Sequence, residues 1–460
     1  MIRPSGPGDT TEEASPAAPA AVWRRATPWL VFAVFVIATA ARGTGPFYWD
    51  ADHYWRATQA IVGITPDVPA GYWDLRGFWT AFVYAPAAAA TRLFGAESAG
   101  VAVLIQNSLV FGAVAAFLLP ALLAKWQRVT LPMRWVGAAL FWAATSGFAA
   151  FPLVDVYPVI AVLAVILLLP SQRFWVVLLA GAFAGIAVNL RPAYLVVIAL
   201  VTIVVVVWRR WIGLWFPAGI LAALIPQLVA NVSSSGRWSI LPGASDGLVA
   251  LQAGYAAYTV RYDTMINSAN ARQFFCSPEM ARAVGDSPPA SGGELALTFL
   301  QNMPASIQFA LEKVAAALSW QVSIPYAVPA RAIDVVFALA ITLITVFGIT
   351  ALLFFSFRRT GDPAVRDGFG SAILIAVVLG TALTLVSSAT ESRFALMLVV
   401  LGVLGITLLV GPDFRRNWRQ AKWWAIAAAA VTALVLLFAY TGLDNPAPRG
   451  DVTPTICATS

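Results

Sequence analysis

Apolar blocks of about 16 to 22 residues recur along almost the whole chain, and they constrain the fold more than any other feature of the sequence. A helix of this length crosses the roughly 30 Å hydrocarbon core of a bilayer and satisfies its own backbone hydrogen bonds there. Soluble domains are about 45–50% apolar, whereas 60% of these 460 residues are hydrophobic and only 11% are charged. The sequence therefore predicts an all-α integral membrane protein whose main solvent is membrane lipid.

About eleven membrane spans can be placed on these blocks. They lie near residues 27–42, 99–123, 135–152, 156–170, 174–189, 192–207, 211–230, 332–356, 370–388, 394–411 and 423–441. Two longer segments interrupt the series, a first loop at 43–98 and a long loop at 231–331 between spans seven and eight. The predicted organisation is a disordered tail (1–22), an N-terminal transmembrane module (23–230), the long loop (231–331), a C-terminal transmembrane module (332–441) and a second tail (442–460).

The basic residues predict the orientation of the spans. If the N-terminus is cytoplasmic, every short loop on that side is basic, as the positive-inside rule requires. These loops contain Arg24, Arg25, Lys125, Arg128, Arg134, Arg173, Arg209, Arg210, Arg358, Arg359, Arg366, Arg415, Arg416, Arg419 and Lys422. The frequent Ala, Val and Arg are typical of a GC-rich bacterium, so we expect a multi-pass protein of the bacterial inner membrane with an extracytoplasmic C-terminus. No basic stripe lies on a soluble domain, so the net charge of +7 does not indicate nucleic-acid binding.

The acidic residues sort to the opposite side. With this orientation 6 of the 22 Asp and Glu residues are cytoplasmic and 16 are extracytoplasmic. An active site, if the protein has one, is therefore expected on the outer face. Simple exclusion of basic residues from the outer loops would give the same asymmetry without any site.

The first outer loop opens with the stretch Tyr48–Trp55, which is the most informative part of the sequence. It contains two carboxylates, Asp50 and Asp52, and the only histidine of the chain, His53. If a helix begins near Asp50, His53 and Tyr54 share its face. Such acids can bind a divalent cation, or one can take a proton from a sugar hydroxyl. Asp50 could equally cap the helix, and aromatic residues are enriched at any membrane interface.

Three further outer turns each contribute one or two polar residues. Asp155 follows span three, Asn189 and Arg191 follow span five, and Glu391 and Arg393 follow span nine. Charged groups so close to hydrocarbon are usually paired or functional, and the forked donors of arginine match phosphate oxygens. Each arginine alone could instead be a flanking residue whose charge reaches the interface.

These stretches resemble the GT-C superfamily of membrane glycosyltransferases. Residues 49–54, Trp-Asp-Ala-Asp-His-Tyr, are similar to the W-D-x-x-H-Y stretch in the first luminal loop of the second type of GPI mannosyltransferase. The layout resembles the protein O-mannosyltransferase and aminoarabinose transferase branch, in which an acidic first loop carries two interfacial helices, a second acid follows span three and an E-x-R-[FY] stretch precedes a late span. Here Asp155 is the second acid and Glu391-Ser-Arg-Phe394 is the late stretch. The resemblance covers about the first 210 residues and residues 370–411.

The resemblance implies an enzyme that moves a mannose-like or arabinose-like sugar from a polyprenyl-phosphate donor, with inversion, to an extracytoplasmic glycan, lipid or protein acceptor. It also implies a GT-C-like bundle. The implied roles are a general base at Asp50, further catalytic acids at Asp52 and Asp155, donor-phosphate binding by Arg191 and Arg393 with Glu391 orienting Arg393, and substrate binding by His53 and Tyr54. Asp52 and Asp155 are also the candidate ligands of a Mg²⁺ or Mn²⁺ ion.

The long loop adds weaker predictions. Tyr258 and Arg261 lie where aromatic and polar residues alternate, a pattern that suits sugar binding but equally suits packing of a small domain. Residues 77–94 and 304–320 are predicted as interfacial helices.

The two cysteines, Cys276 and Cys457, are both predicted on the outer side. A disulfide can form between them there. The sequence leaves open whether it does.

Three rival functions remain. A polyprenyl-linked glycan flippase or transporter would need charged or broken helices near mid-membrane and repeated halves, for which Pro226 and Gln227 in span seven are the nearest candidates. A non-catalytic subunit of an envelope-assembly complex needs no site. A polymerase or ligase that uses polyprenyl diphosphate would be expected to carry a richer outer arginine cluster.

Overall fold

The computed structural model describes residues 18–242, 245–266, 272–320, 324–327, 332–357, 368–416, 418–447 and 452–459. Most of these residues are helical. The helices are α1 (Ala18–Ala40), α2 (Trp49–Ile61), α3 (Tyr72–Leu75), α4 (Ala85–Phe94), α5 (Ala99–Ala113), α6 (Leu119–Leu123), α7 (Leu131–Thr145), α8 (Val156–Leu168), α9 (Phe174–Leu190), α10 (Leu195–Gly213), α11 (Trp215–Ser235), α12 (Ser245–Ala256), α13 (Pro278–Val284), α14 (Gly292–Gln301), α15 (Met303–Leu318), α16 (Ala332–Phe357), α17 (Phe369–Ser387), α18 (Leu396–Leu409), α19 (Pro412–Arg416), α20 (Trp418–Gly442) and α21 (Pro454–Thr459). Strands β1 (Thr259–Thr264) and β2 (Arg272–Cys276) form an antiparallel pair.

Seven helical segments of the described residues are long and apolar enough to cross a membrane. They are Ala96–Leu123, Pro192–Gly213, Trp215–Ser233, Val335–Phe357, Phe369–Ser387, Ser392–Leu409 and Lys422–Gly442. Each of the other four predicted spans also falls on a helix, but these helices are shorter: Arg25–Ala40, Leu131–Thr145, Val156–Leu168 and Phe174–Leu190. The structure is therefore consistent with a multi-pass membrane protein.

Several predicted boundaries differ from the structure. Helix α1 begins at Ala18, so it includes the last five residues of the predicted disordered tail, whose residues 1–17 lie outside the described part of the chain. The predicted helix at 77–94 is instead a short 3₁₀ turn at Phe78–Ala81 followed by α4. The break is explained by Pro86, which lacks a backbone N–H and is tolerated in the first turn of a helix but not in its interior.

Helix α11 continues through Pro226, so the broken helix that a transporter would need is not found there. Of the predicted cytoplasmic basic residues, Arg358, Arg359 and Arg366 lie outside the described residues.

Small residues allow α16 and α18 to approach each other closely. Gly348 of α16 lies against the backbone of Gly402 in α18, where a Cβ atom on either residue would overlap main-chain atoms of the other helix. Close approach through small residues is a common source of van der Waals packing in membrane bundles, because lipid supplies little hydrophobic driving force between helices. Helix α18 is buried along nearly its whole length and forms the centre of the bundle.

The long loop folds into a small domain, here called the loop domain, which comprises α12 to α15, the two strands and the described residues that follow α15 up to Ala327. Its core includes Tyr258, Phe274 and Met280, and it also takes in Val452 and Cys457 from the segment after α20. Backbone bonds join that segment to β2, from the N–H of residue 447 to the carbonyl of Phe274 at 2.8 Å and from the N–H of Cys276 to the carbonyl of residue 445 at 3.0 Å.

A disulfide joins Cys276 to Cys457, which answers the question that the sequence left open. The predicted helix at 304–320 is present as α15, and its residues pack against α20 and the turn after α17. The loop domain and the first loop meet at one end of the bundle, where the Tyr326 hydroxyl donates to the carbonyl of Tyr48 at 2.8 Å. We call this end the loop face.

Candidate active site

Three arginines and three carboxylates converge at the loop face. This set, here called the arginine–carboxylate cluster, comprises Asp50, Arg76, Asp155, Arg191, Glu391 and Arg393. Its members come from the first loop and from three turns between helices. The sequence predicts five of the six.

Asp50 lies in the first turn of α2, where a negative charge interacts favourably with the helix dipole. The N-cap residue is Tyr48, so Asp50 does not cap the helix. One carboxylate oxygen accepts from Arg76 Nη2 at 2.6 Å and the other from Arg393 Nη2 at 3.2 Å. Burial alone would raise the pKa of Asp50, but the charges of Arg76, Arg393 and Arg191 together lower it to about 2. Asp50 is therefore an anion at neutral pH.

Arg393 bridges all three carboxylates. Its Nε atom pairs with Glu391, its Nη2 atom with Asp50, and its Nη1 atom lies 3.9 Å from Asp155 Oδ2. The guanidinium is buried, and so are Glu391 and Asp155. Buried charges persist only when they are paired and hydrogen-bonded, so these contacts explain how the turn can be charged at the edge of an apolar bundle.

Arg191 and Asp155 form a second ion pair at the ends of two adjacent helices. Asp155 precedes α8 and Arg191 follows α9, so the antiparallel packing of these helices places the two side chains together. The guanidinium carbon of Arg191 also lies 4.1 Å from the ring centroid of Phe394, a favourable cation–π distance. Arg191 is thus directed into the cluster and does not extend outward as a flanking residue.

Arg76 is the member that sequence reasoning missed. It precedes Gly77, which packs so closely against Asn189 that a Cβ atom would overlap the backbone of that residue. The next two backbone N–H groups, of residues 78 and 79, donate to Gln227 Oε1 at 2.6 Å and to Asn189 Oδ1 at 2.8 Å. The available signal was an arginine in a loop predicted to be extracytoplasmic, where the positive-inside rule disfavours basic residues.

Of the three other site residues predicted in the first loop, one has a described contact with the cluster and two do not. Tyr54 is buried beneath Arg76, whose guanidinium carbon lies 5.2 Å from the ring centroid. Asp52 pairs with Arg56 on α2 at 2.9 Å, and His53 is exposed. The described contacts of Asp52 and His53 therefore do not include the cluster.

The predicted metal ligands are already paired with arginines. Asp155 pairs with Arg191, and the described ion pair of Asp52 is with Arg56. Within the part of the chain that the structure describes, no three His, Cys, Asp or Glu side chains come together as a metal site. The Mg²⁺ or Mn²⁺ ion stays a prediction from the sequence.

Tyr258 and Arg261 lie inside the loop domain. The Tyr258 hydroxyl donates to the carbonyl of Val452 at 3.1 Å, and burial raises the pKa of this tyrosine to about 12. Arg261 is buried and donates to the carbonyl of Ala316 at 2.7 Å and to Asp263 at 2.8 Å. These contacts support the packing interpretation, and a substrate role for the two residues stays a prediction.

Other groups of the loop domain do reach the cluster. The Thr264 hydroxyl donates to Glu391 Oε1 at 2.5 Å, and its backbone N–H donates to the same atom at 3.2 Å. The ring centroid of Tyr326 lies 5.9 Å from the guanidinium carbon of Arg393. A small cavity lies between Thr264, Tyr326 and Glu391. The loop domain thus forms one wall of the site.

No protein-family model, curated protein or solved structure matches this chain. The site must therefore be interpreted from its own geometry. A helical chain with seven long apolar helices, consistent with a multi-pass membrane protein, carries a paired arginine–carboxylate cluster at its loop face.

Proposed function

We propose that the protein is a membrane glycosyltransferase that moves a mannose-like or arabinose-like sugar from a polyprenyl-phosphate donor to a cell-envelope glycan, lipid or protein. One observation carries the proposal. Of the three carboxylates in the cluster, Asp50 is 30% exposed, whereas Asp155 and Glu391 are each 3% exposed. One acid is therefore open to a substrate while two buried acids hold the arginines in place.

The position of the arginines suits a donor with a lipid tail. A polyprenyl chain stays in the bilayer, so its phosphate must be met at the membrane surface. Arg191 directly precedes the candidate span Pro192–Gly213, and Arg393 is the second residue of the candidate span Ser392–Leu409. Both guanidinium groups then lie at the depth of a lipid phosphate, with donors that match its oxygens.

The proposed reaction is a single displacement. The acceptor hydroxyl gives its proton to the Asp50 carboxylate while its oxygen attacks the anomeric carbon. The bond between that carbon and the phosphate oxygen breaks, and polyprenyl phosphate leaves with one additional negative charge. Arg393 and Arg191 stabilise this charge, and Glu391 orients Arg393 through its Nε atom.

The low pKa of Asp50 belongs to the cluster without donor. At a pKa of about 2 a carboxylate is a weak base. When a phosphate oxygen takes the donors of Arg76 or Arg393, their effect on Asp50 decreases and its pKa rises toward the usual value of about 3.9. Donor binding would thus activate the base. No step is assigned to Mg²⁺ or Mn²⁺, because arginines already match the charges of its predicted ligands.

Orientation and span number are part of the proposal. We infer that all eleven predicted spans cross the membrane and that the loop face is extracytoplasmic. Helix α8 supports this arrangement, because Asp155 lies at its N-terminus while Lys125 and Arg209 donate to carbonyls at its other end, Leu167 at 2.7 Å and Pro170 at 3.1 Å. The cluster and these basic residues therefore lie at opposite ends of one helix.

The test is transfer of radiolabelled sugar from synthetic polyprenyl-phosphate donors by the purified protein in nanodiscs, with metal present or chelated. Asp50→Asn is expected to lower the transfer rate by about 10²-fold or more, the usual contribution of a general base. Asp74→Asn is the matched control, because Asp74 is an exposed carboxylate in the same loop, and it should keep wild-type activity. Wild-type transfer by Asp50→Asn would show that the base is assigned wrongly.

A polymerase or ligase that uses polyprenyl diphosphate is the second candidate, because the structure adds a third arginine to the site. The cluster nevertheless has equal numbers of arginines and carboxylates, which suits the single charge of a phosphodiester better than the charge of a diphosphate. Diphosphate-linked donors in the same assay distinguish the two. A well-folded protein that uses neither donor class would contradict both proposals and favour a flippase or an assembly subunit.

A further inference from the structure

Lys313 is a buried lysine that the proposed reaction does not use. It lies in α15, is 0% exposed and belongs to no described ion pair. Its ammonium donates to the carbonyl of Ala256 at 3.0 Å and to the carbonyl of Ser388 at 2.8 Å, and it lies 5.2 Å from the ring centroid of Phe309. A buried ammonium without a carboxylate partner is expensive, so a packing role alone would be filled better by an apolar side chain.

The Ser388 carbonyl begins the turn that carries two members of the cluster. The turn comprises residues 388–393 and therefore includes Glu391 and Arg393. Other groups of the loop domain also donate hydrogen bonds to it or accept them from it. The Ala389 N–H donates to Gln252 Oε1 at 2.9 Å. The carbonyl of Thr390 accepts from the Tyr262 N–H at 2.9 Å, and that of Ser392 accepts from Trp320 Nε1. Among these described bonds, the bond from Lys313 is the one whose donor can carry a charge.

The charge of Lys313 is controlled by burial. Burial lowers its pKa from 10.5 to about 7. On the elements packed against it, the charged groups of α15 itself, β1 and the turn are buried and engaged with other partners: Glu312, Arg261, Asp263, Glu391 and Arg393. The charged groups of α13 and α14 are exposed: Glu279, Arg282 and Glu294.

We propose that Lys313 is a positioning residue, whose ammonium joins α12 of the loop domain to the turn 388–393 and thereby keeps Glu391 and Arg393 in place against Asp50. The expected effect of Lys313 on catalysis rests on the proposed function. Its expected effect on the order of the turn 388–393 does not depend on that function.

Substituting Lys313 is expected to change the order of the turn and the stability of the fold in opposite directions. A lysine whose pKa is lower in the folded protein destabilises the fold most when it is charged, at and below about pH 7. The penalty decreases as pH rises from about 7 toward the ordinary lysine pKa of 10.5. Lys313→Met is therefore expected to keep or raise the melting temperature, by a margin that shrinks above pH 7, while it loosens the turn. If Lys313 had only a packing role, its substitution would lower both the melting temperature and the protection of the turn.

Hydrogen exchange of the purified full-length protein in nanodiscs, measured by mass spectrometry, tests this. Loss of a charge-assisted hydrogen bond should lower the protection factors of peptides that cover 388–395 by about 10-fold or more in Lys313→Met at pH 6. Glu312→Gln is the matched control, because Glu312 is the buried neighbour whose described contacts are with Gln308 and Thr441, and it should leave the turn as in the wild type. Lys313→Arg keeps the charge and should restore protection.

Wild-type protection of the turn should also fall between pH 6 and 9, relative to Lys313→Arg. Unchanged protection in Lys313→Met, or an equal loss of protection throughout the protein with a lower melting temperature, would overturn the proposal. If the wild type transfers sugar, its rate should fall above about pH 7 in a step that Lys313→Arg removes. A loosened turn in Lys313→Met together with an inactive wild type would disprove the proposed function and leave the positioning role intact.

Discussion

At the scale of single residues, the cluster separates two roles that the sequence could not separate. Asp50, Asp155 and Glu391 were predicted together because all three lie on the predicted outer side, but only Asp50 is open to solvent. Sidedness along the chain can be obtained from charge and hydropathy. Exposure depends on tertiary packing, which no local pattern encodes.

Substitution of Arg76 tests whether this side chain binds the phosphate of the proposed donor. Arg76 is 31% exposed and is the arginine whose charge lowers the pKa of Asp50 most strongly, so it is both accessible to the proposed donor and coupled to the proposed base. Arg76→Met should raise the KM for the donor by roughly 10- to 100-fold, the equivalent of one charge-assisted hydrogen bond. The measurement is the donor concentration dependence of transfer.

Arg56→Met provides the matched control for this substitution. Arg56 is an exposed arginine of the same loop, and its ion pair with Asp52 is of a kind that contributes little. The control should change KM by about 2-fold at most. Equal effects of the two substitutions would mean that Arg76 acts only through the general charge of the loop.

At the scale of elements, the helices follow from local properties and the site follows from contacts between them. Every predicted span falls on a helix because length and hydropathy are local. Arg76 was missed because its position depends on the docking of residues 77–79 against α9 and α11. The same contacts occupy the N–H groups of residues 78 and 79 and act together with Pro86, so the helix predicted at 77–94 begins only at Ala85.

Gly77 offers a test of this docking. Its φ is −71°, which alanine can adopt, so the obstacle to a side chain is the space taken by Asn189. Gly77→Ala should destabilise the docked turn by about 1–3 kcal/mol, the usual effect of overpacking. Hydrogen exchange of residues 76–82 measures the loss of protection. Gly45→Ala is the control, because a Cβ atom there meets nothing within 4 Å, and an equally large effect would exclude close packing as the cause.

At the scale of the whole molecule, the site is assembled from a helical bundle and a separate loop domain. Asp50 and Arg393 lie 343 residues apart in the chain. The sequence placed both on one membrane side, but it predicted neither the strand pair nor its contact with Glu391, because β1 and β2 are short and are stabilised by packing against α15 and the segment after α20. The disulfide also joins distant parts of the chain, because it connects the loop domain to a segment beyond four long helices.

Removing the disulfide should release that segment and leave the bundle intact. The two half-cystines are 181 residues apart. Chain-entropy arguments for so long a loop give about 4–5 kcal/mol, but inserted helices stay constrained by the membrane, so a smaller effect is expected. Replacing Cys276 and Cys457 by alanine should increase proteolysis within 452–459 several-fold without changing the protection of α16 to α18. Equal proteolysis with and without the disulfide would show that packing alone holds the segment.

The contacts of Asn445, Ala447 and Cys457 with β2 also determine when the loop domain can be completed during synthesis. The ribosome delivers these residues only after α16, α17, α18 and α20 have emerged. The loop domain must therefore wait, with the edge of β2 unpaired and the thiol of Cys276 free, while four long helices are inserted. Because Thr264 and Tyr326 of this region contact Glu391 and Arg393, the wall of the site belongs to a loop domain that is completed only after these helices. A chain released early would hold a formed helical bundle beside an unfinished site.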